Sequence, residues 1–332
     1  MKNTIAVVSL LSLALFMPAA QGQTSHAFLW TATGGMQDIG TLGGNFSQAQ
    51  GINASGQVVG YSYLADNITF HAFLWTASGG MQDLGAPSGA NSVAMAINNA
   101  GQIAGYSSSP ATSTDRIYHA LLWTGGVLTN LGTLGGKSSD AMAINDAGVV
   151  TGASQAKTGG YRPMMWTASG GMKDLGTLGQ PGGSGYGINA SGEIVGISAI
   201  VNHLDEPYSW TSTGGMKDLL PRHNYTDGSA SAINRSGTIA GWVNTTTNTY
   251  PALWTAKGLK VLPTLGGATG VMLAINDSNQ AVGYSATASN ANHGFLWTQA
   301  AGMTDLGTLG GTSSQALGIN NAGQVVGYSD LP

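Results

Sequence analysis

Four histidines stand four residues ahead of a tryptophan: His26, His71, His119 and His293, each opening a run of the type HAFLWT. Imidazole titrates near neutrality and is the commonest metal ligand, so a recurring histidine raises acid–base chemistry or a shared metal. A second polar group does not recur: His203, Asp205 and Glu206, followed by Arg222, His223, Tyr225 and Asp227. Carboxylate and histidine brought together can do general acid–base work, as in a lyase or hydrolase acting on a polymer. Trp242, Tyr118, Tyr161 and Tyr250 offer flat faces that stack on sugar rings. Against these stand plainer readings, solvated loop polarity for the first group and packing at strand ends for the aromatics. No nucleophile elbow, H-E-x-x-H helix, dinucleotide-binding glycine turn or P-loop is present. With no cysteine in the chain, thiol catalysis and thiolate metal sites are excluded, and no cofactor is expected.

The elements that would position these residues come from a repeat. Tryptophans at 30, 75, 123, 166, 210, 254 and 297 mark a period of about 44 residues, and the dipeptide Ile-Asn recurs with asparagines at 53, 98, 145, 189, 234, 276 and 320. Each unit holds four short runs with strand character, in the first HAFLWT (26–31), MQDIG (36–40), SQAQGIN (47–53) and QVVGYS (57–62). Four strands in such a period match a propeller blade. The expected fold is therefore all-β, a seven-bladed β-propeller of four-stranded antiparallel blades. The first two runs would share a blade with the last two (314–329), so that the N- and C-terminal strands close the ring and leave no open edge.

Local chemistry agrees. N-x-x-G turns such as NASG (53–56) place an Asx cap and a glycine at positive φ, and NDSN (276–279) substitutes Asn279. A glycine recurs in every fourth run (Gly60 to Gly327), which marks close approach of something bulky; the repeated tryptophan is the candidate. The histidine position holds Arg162, Glu206 and Tyr250 in the central copies. Equivalent positions in neighbouring blades would lie roughly 10 Å or more apart, whereas zinc needs ligands at about 2.1 Å. No metal is expected, and a hydrogen-bonding role at a strand start fits the histidine better.

Composition bounds the setting. Residues 1–22 read as a secretory signal peptide, with Lys2, an apolar stretch from Ile5 to Met17 and a small-residue end, leaving 23–332 as one propeller domain. The expected location is extracellular, or periplasmic if the producer has an outer membrane, with no membrane span in the mature chain. Charged residues make up 8% of the chain against an ordinary share of about 25%, and the net charge is −4. Nucleic acid is not an expected partner, because no basic run exists.

The triplets His26-Ala27-Phe28 and His71-Ala72-Phe73, with the LWT, GGMxDLGTLGG and GIN-x-x-G-x-VVGYS elements that follow, resemble the HAF-repeat extracellular proteins of bacteria. The resemblance spans essentially the whole mature chain and implies a secreted repeat protein. Strand parity puts the nonrepeating connections, among them 107–118, 153–161, 198–205, 220–229 and 243–249, on one face. Binding residues concentrate on such loops. The expected function is a binding or scaffolding module for an extracellular glycan, polymer or protein; the alternative is a polymer-degrading lyase or hydrolase built on residues 203 to 227.

Overall fold

The computed structural model describes residues 24–87, 90–109, 117–200, 203–220 and 225–332. The expected signal segment, Arg222 and His223 lie outside these, as do the side chains of His203 and Asp205. Among the described residues there are 28 strands and no helix. In a representative unit, Gly43–Ile52 pairs with Val58–Leu64, that strand with Phe70–Thr76, and that with Gly80–Asp83, all antiparallel. The innermost strands of the other units are Asn91–Ile97, Gly135–Ile144, Gly183–Ile188, Asp227–Ile233, Gly266–Ile275 and Ser314–Ile319. The unit containing Ser314–Ile319 continues into Val325–Asp330, which pairs antiparallel with Ser25–Thr31 from Ser25↔Asp330 to Trp30↔Val325; Gly35–Asp38 is its outer edge. Two units touch a neighbour through one parallel pair each, Ser25↔Phe46 and Thr249↔Thr269.

The repeat's glycine meets a nearer obstacle than the expected tryptophan. Every inner strand carries a bulge near its middle, for example between Ala49 and Gly51 and between Ala94 and Ala96. The extra residue swings the preceding carbonyl across the second strand. A Cβ on Gly60, Gly105, Gly152 or Gly196 would collide with the carbonyl oxygen of Gln48, Val93, Asp140 or Ser184, respectively. At Gly241 the Trp254 ring also lies 3.1 Å from that position.

Polar pairing joins units through the same repeat. The Nδ2 of Asn53 donates to the carbonyl of Asn98, Asn98 to that of Asn145, and so on through Asn189, Asn234, Asn276 and Asn320, whose Nδ2 returns to Asn53 at 3.0 Å. Each Oδ1 caps its own turn: that of Asn53 accepts the N–H of Ser55 and Gln57. Gly56 has φ 75° and Asn279 φ 58°, as the turn chemistry requires.

A second seam links the HAF run to the next inner strand. Ser92 Oγ accepts the Ala72 N–H and donates to the Gly85 carbonyl. Ser47 does the same for Ala27 and Gly40, Ser139 for Ala120 and Gly132, and Ser314 for Gly294 and Gly307. Where the HAF slot holds Pro163, Pro207 or Pro251, no N–H exists to be accepted, and the inner strand has Gly183, Gly228 or Gly270 in the serine's register position, opposite Ser198, Val243 and Ser285. A Cβ at Gly183 or Gly270 would lie 3.1 or 2.9 Å from the proline Cδ. Serine pairs with an N–H in four units, and glycine lies against a proline ring at Gly183 and Gly270.

Apolar packing fills the space between sheets. Phe28, Phe73 and Phe295 are fully buried, each worth about 1.5–3 kcal/mol of burial. The connections are shorter than the sequence suggests: Ile194–Ile200 and His203–Thr211 leave only two residues between them, because Ile200 pairs with His203. Strands similarly run to Asn244 and restart at Thr249.

Candidate functional site

The inner strands surround a cavity of about 670 Å³. Its deep end is lined by the isoleucine that closes each inner strand, from Ile52 to Ile319, just above the asparagine circuit. Its other end lies where the inner strands begin, on the face of the nonrepeating connections, and carries Asp227, Trp242, Asn244, Thr249, Thr269 and Tyr284. These mouth groups are tied together: Thr249 Oγ1 donates to Asn244 Oδ1 at 2.6 Å, and Asn244 Nδ2 donates to Asp227 Oδ1 at 2.6 Å. Thr226 Oγ1 donates to the other carboxylate oxygen of Asp227 at 3.1 Å. Asp227 and Asn244 face each other across the sheet register, as do Ser229 and Trp242, so the strand pairing itself sets the mouth.

The recurring histidines are spent within their own units. His26 Nδ1 donates to Asp38 Oδ2 at 2.7 Å, and His71 and His293 reach Asp83 and Asp305 at 2.8 Å. The other oxygen of each aspartate accepts the N–H of Gly40, Gly85 or Gly307. The imidazole thus holds the carboxylate that caps the crossing to the next inner strand. His119 faces an outer strand ending in Asn130, whose Oδ1 caps Gly132 in the same way.

Of the nonrepeating candidates, Asp227 and Trp242 meet at the mouth. Glu206 is buried in its strand opposite Ser198, and Tyr225 packs partly buried against the cluster of Val243 and Ala252. Neither is at the cavity, so the expected seven-residue group is not one constellation among the described residues. Tyr118 and Tyr161 converge elsewhere, beside Ser138 and Asp140: the Tyr118 N–H donates to Ser138 Oγ at 3.2 Å, and the Tyr161 hydroxyl hydrogen-bonds to Ser138. The Tyr118 ring meets Tyr106 edge-on at 5.8 Å. Burial pushes Asp140 up to about 7, against the lowering effect of the Ala153 N–H that it accepts at 2.9 Å. Burial likewise raises Tyr161. Tyr284 and Asp140 lie outside the residues and loops that the sequence points to, whereas Asn244 and Thr249 fall in the 243–249 connection; the signal for Asp140 was a carboxylate in the inner-strand run SSDAMAIN, at a position where no other unit has one.

Four-stranded antiparallel units around a central cavity define a β-propeller. The solved structures agree on this fold. The β-propeller domain of the Trilobed protease from Pyrococcus furiosus is 9% identical at a TM-score of 0.56, covering 78% of this chain and 83% of that one. TolB from Acinetobacter baumannii is 12% identical at 0.50, covering 76% and 66%. Pyrococcus horikoshii acylaminoacyl peptidase is 12% identical at 0.53; this chain is covered over 82% but spans only 45% of the peptidase. No family model matches the chain, and no curated protein matches it in sequence. No helix among the described residues is long and apolar enough to cross a membrane.

Proposed function

We propose that this chain is an exported, seven-bladed propeller of the HAF-repeat kind that binds an extracellular glycan or other polar polymer at the cavity mouth. Seven blades and a closed ring are supported by the asparagine circuit, which passes through seven units and returns to its start, and by the pairing of Ser25–Thr31 with Val325–Asp330. Export is supported by the N-terminal run of residues 1–22 and the lack of cysteine. The observation that carries the binding reading is the mouth itself: an indole, a phenol and the hydrogen-bonded set Asp227, Asn244 and Thr249 around one opening. Aromatic faces beside fixed acceptors and donors suit a neutral polyhydroxylated ring. Binding is favoured over hydrolysis because Glu206 is buried and Asp227 is held by an amide and a hydroxyl, so these carboxylates do not form an acid–base pair.

The test is a glycan array with the purified protein, followed by titration of any hit against Trp242→Ala and Asp227→Asn. Binding weakened at least about tenfold in either variant is expected, which corresponds to about 1.4 kcal/mol. A blank array, or hits indifferent to both substitutions, overturns the reading.

A further inference from the structure

The hydrogen-bonded set at the mouth carries a charge that nothing around it balances. Asp227 is the only charged residue among those that line the cavity. Both of its partners are neutral: the Asn244 amide at 2.6 Å from Oδ1, and the Thr226 hydroxyl at 3.1 Å from Oδ2, on the exposed side of the group. The ion pairs among the described residues join His26, His71 and His293 to aspartates of their own units, and none of them includes Asp227. A carboxylate has about four acceptor positions, so half of its hydrogen-bonding capacity stays open at the mouth.

The deeper part of the cavity supplies no counter-charge either. The polar side-chain ends below the mouth, Gln50 Nε2, Ser231 Oγ and the Tyr186 hydroxyl, have essentially no accessible surface, and the floor beneath them is isoleucine. One carboxylate at the opening of an otherwise uncharged cavity directs its field at whatever enters.

Strand alternation places the indole beside that charge. Asp227 and Ser229 lie two apart on one strand, and Asn244 and Trp242 two apart on its neighbour, Ile239–Asn244; the pairs Asp227↔Asn244 and Ser229↔Trp242 therefore share one face of the sheet. Asp227 is diagonal to Trp242, a separation of about 7–8 Å. An ammonium group in that gap can donate to the carboxylate at about 2.7–2.9 Å and still lie within the roughly 6 Å over which an indole face attracts a cation.

We infer that the mouth selects a glycan bearing free amino groups over acetylated or acidic ones. This selection rests on the glycan reading of the mouth and adds the charge to it: a sugar ring lies on Trp242, and an ammonium carried by that ring or the next one is held by Asp227. Acetylation keeps the ring but replaces the ammonium with a neutral amide. A uronic acid brings a second carboxylate against the first, and like charges repel.

The experiment is calorimetric titration of the full chain with three tetrasaccharides, of glucosamine, N-acetylglucosamine and galacturonic acid, at about pH 6, where an amine of ordinary basicity is protonated. The glucosamine oligomer should bind at least about tenfold more tightly than the acetylated one, and the uronate should not bind. The advantage should shrink several-fold between about 20 mM and about 500 mM salt. Asp227→Asn should bring the ratio of the two affinities to about one, and Trp242→Ala should weaken both oligomers by removing the stacking surface. Thermal unfolding reports whether each variant folds, and the salt dependence of the wild-type chain carries the test if Asp227→Asn does not. Equal affinity for the amino and acetylated oligomers overturns the inference while the glycan reading stands. A preference that Asp227→Asn leaves intact, or tighter binding of the uronate, also overturns it. Absence of binding to all three overturns it as well, and the glycan array then decides the broader reading.

Discussion

The exchange of a serine latch for a proline–glycine contact can be made by hand. In one seam, Ser92 is fully buried and joins Ala72 N–H to the Gly85 carbonyl at 2.9 and 2.6 Å. Ser92→Gly leaves the Ala72 N–H buried without a partner, about 1–3 kcal/mol, and loses a hydrogen bond worth about 1 kcal/mol at the carbonyl, so the loss should be about 2–4 kcal/mol. Ala72→Pro alone removes the N–H but drives a ring carbon toward Ser92, as the 2.9 Å approach between Pro251 and a Cβ at Gly270 indicates; overpacking of this kind costs about 1–3 kcal/mol. The double variant reproduces the arrangement at Pro163 and Gly183. It has neither an orphan donor nor a clash, and its stability should return to within about 1–2 kcal/mol of the wild type. Equilibrium urea denaturation of all four proteins gives the coupling energy, expected at about 2–3 kcal/mol in the favourable direction. Additive losses would refute the view that serine and proline are alternative solutions to one seam.

Gly105→Ala should be among the most damaging small substitutions, because the added methyl meets the Val93 carbonyl of a bulged, fully packed strand; a loss above about 3 kcal/mol, or no soluble protein, is expected in denaturation or expression assays. Gly101→Ala, at φ 77° with open space around it, should cost only about 1 kcal/mol. Asp140 supplies a pH dependence: its folded value near 7 lies above the ordinary carboxylate value of about 3.9, so the native state binds the extra proton and stability falls as pH rises from about 4 to about 7. Urea midpoints measured at pH 5 and pH 8 should differ less in Asp140→Asn than in the wild type, and equal slopes would count against the burial argument.

The period of the chain was enough to establish four strands per unit, the N-x-x-G turns and the all-β class, because turn chemistry and strand alternation are local and every copy repeats the same local solution. The HAF histidine could be assigned to hydrogen bonding from its replacement by Arg162, Glu206 and Tyr250, although its aspartate partner lies across a strand pair and became visible only with the register. The covariation of serine with an N–H and of glycine with proline was also present in the residues, but the two positions are about 20 apart and belong to different units, so nothing in one unit marks them as neighbours. Tertiary structure alone decided which nonrepeating residues meet. Trp242 and Asp227 reach a common opening through strand pairing, whereas Glu206 turns into the packed interior and Tyr118 and Tyr161 gather around Ser138 and Asp140. The cavity-lining residue at each inner-strand bulge depended most on the fold. A bulge shifts the strand's alternation by one residue and sends inward a side chain that a regular strand would not aim at the axis, and a sequence pattern of period two carries no sign of that shift.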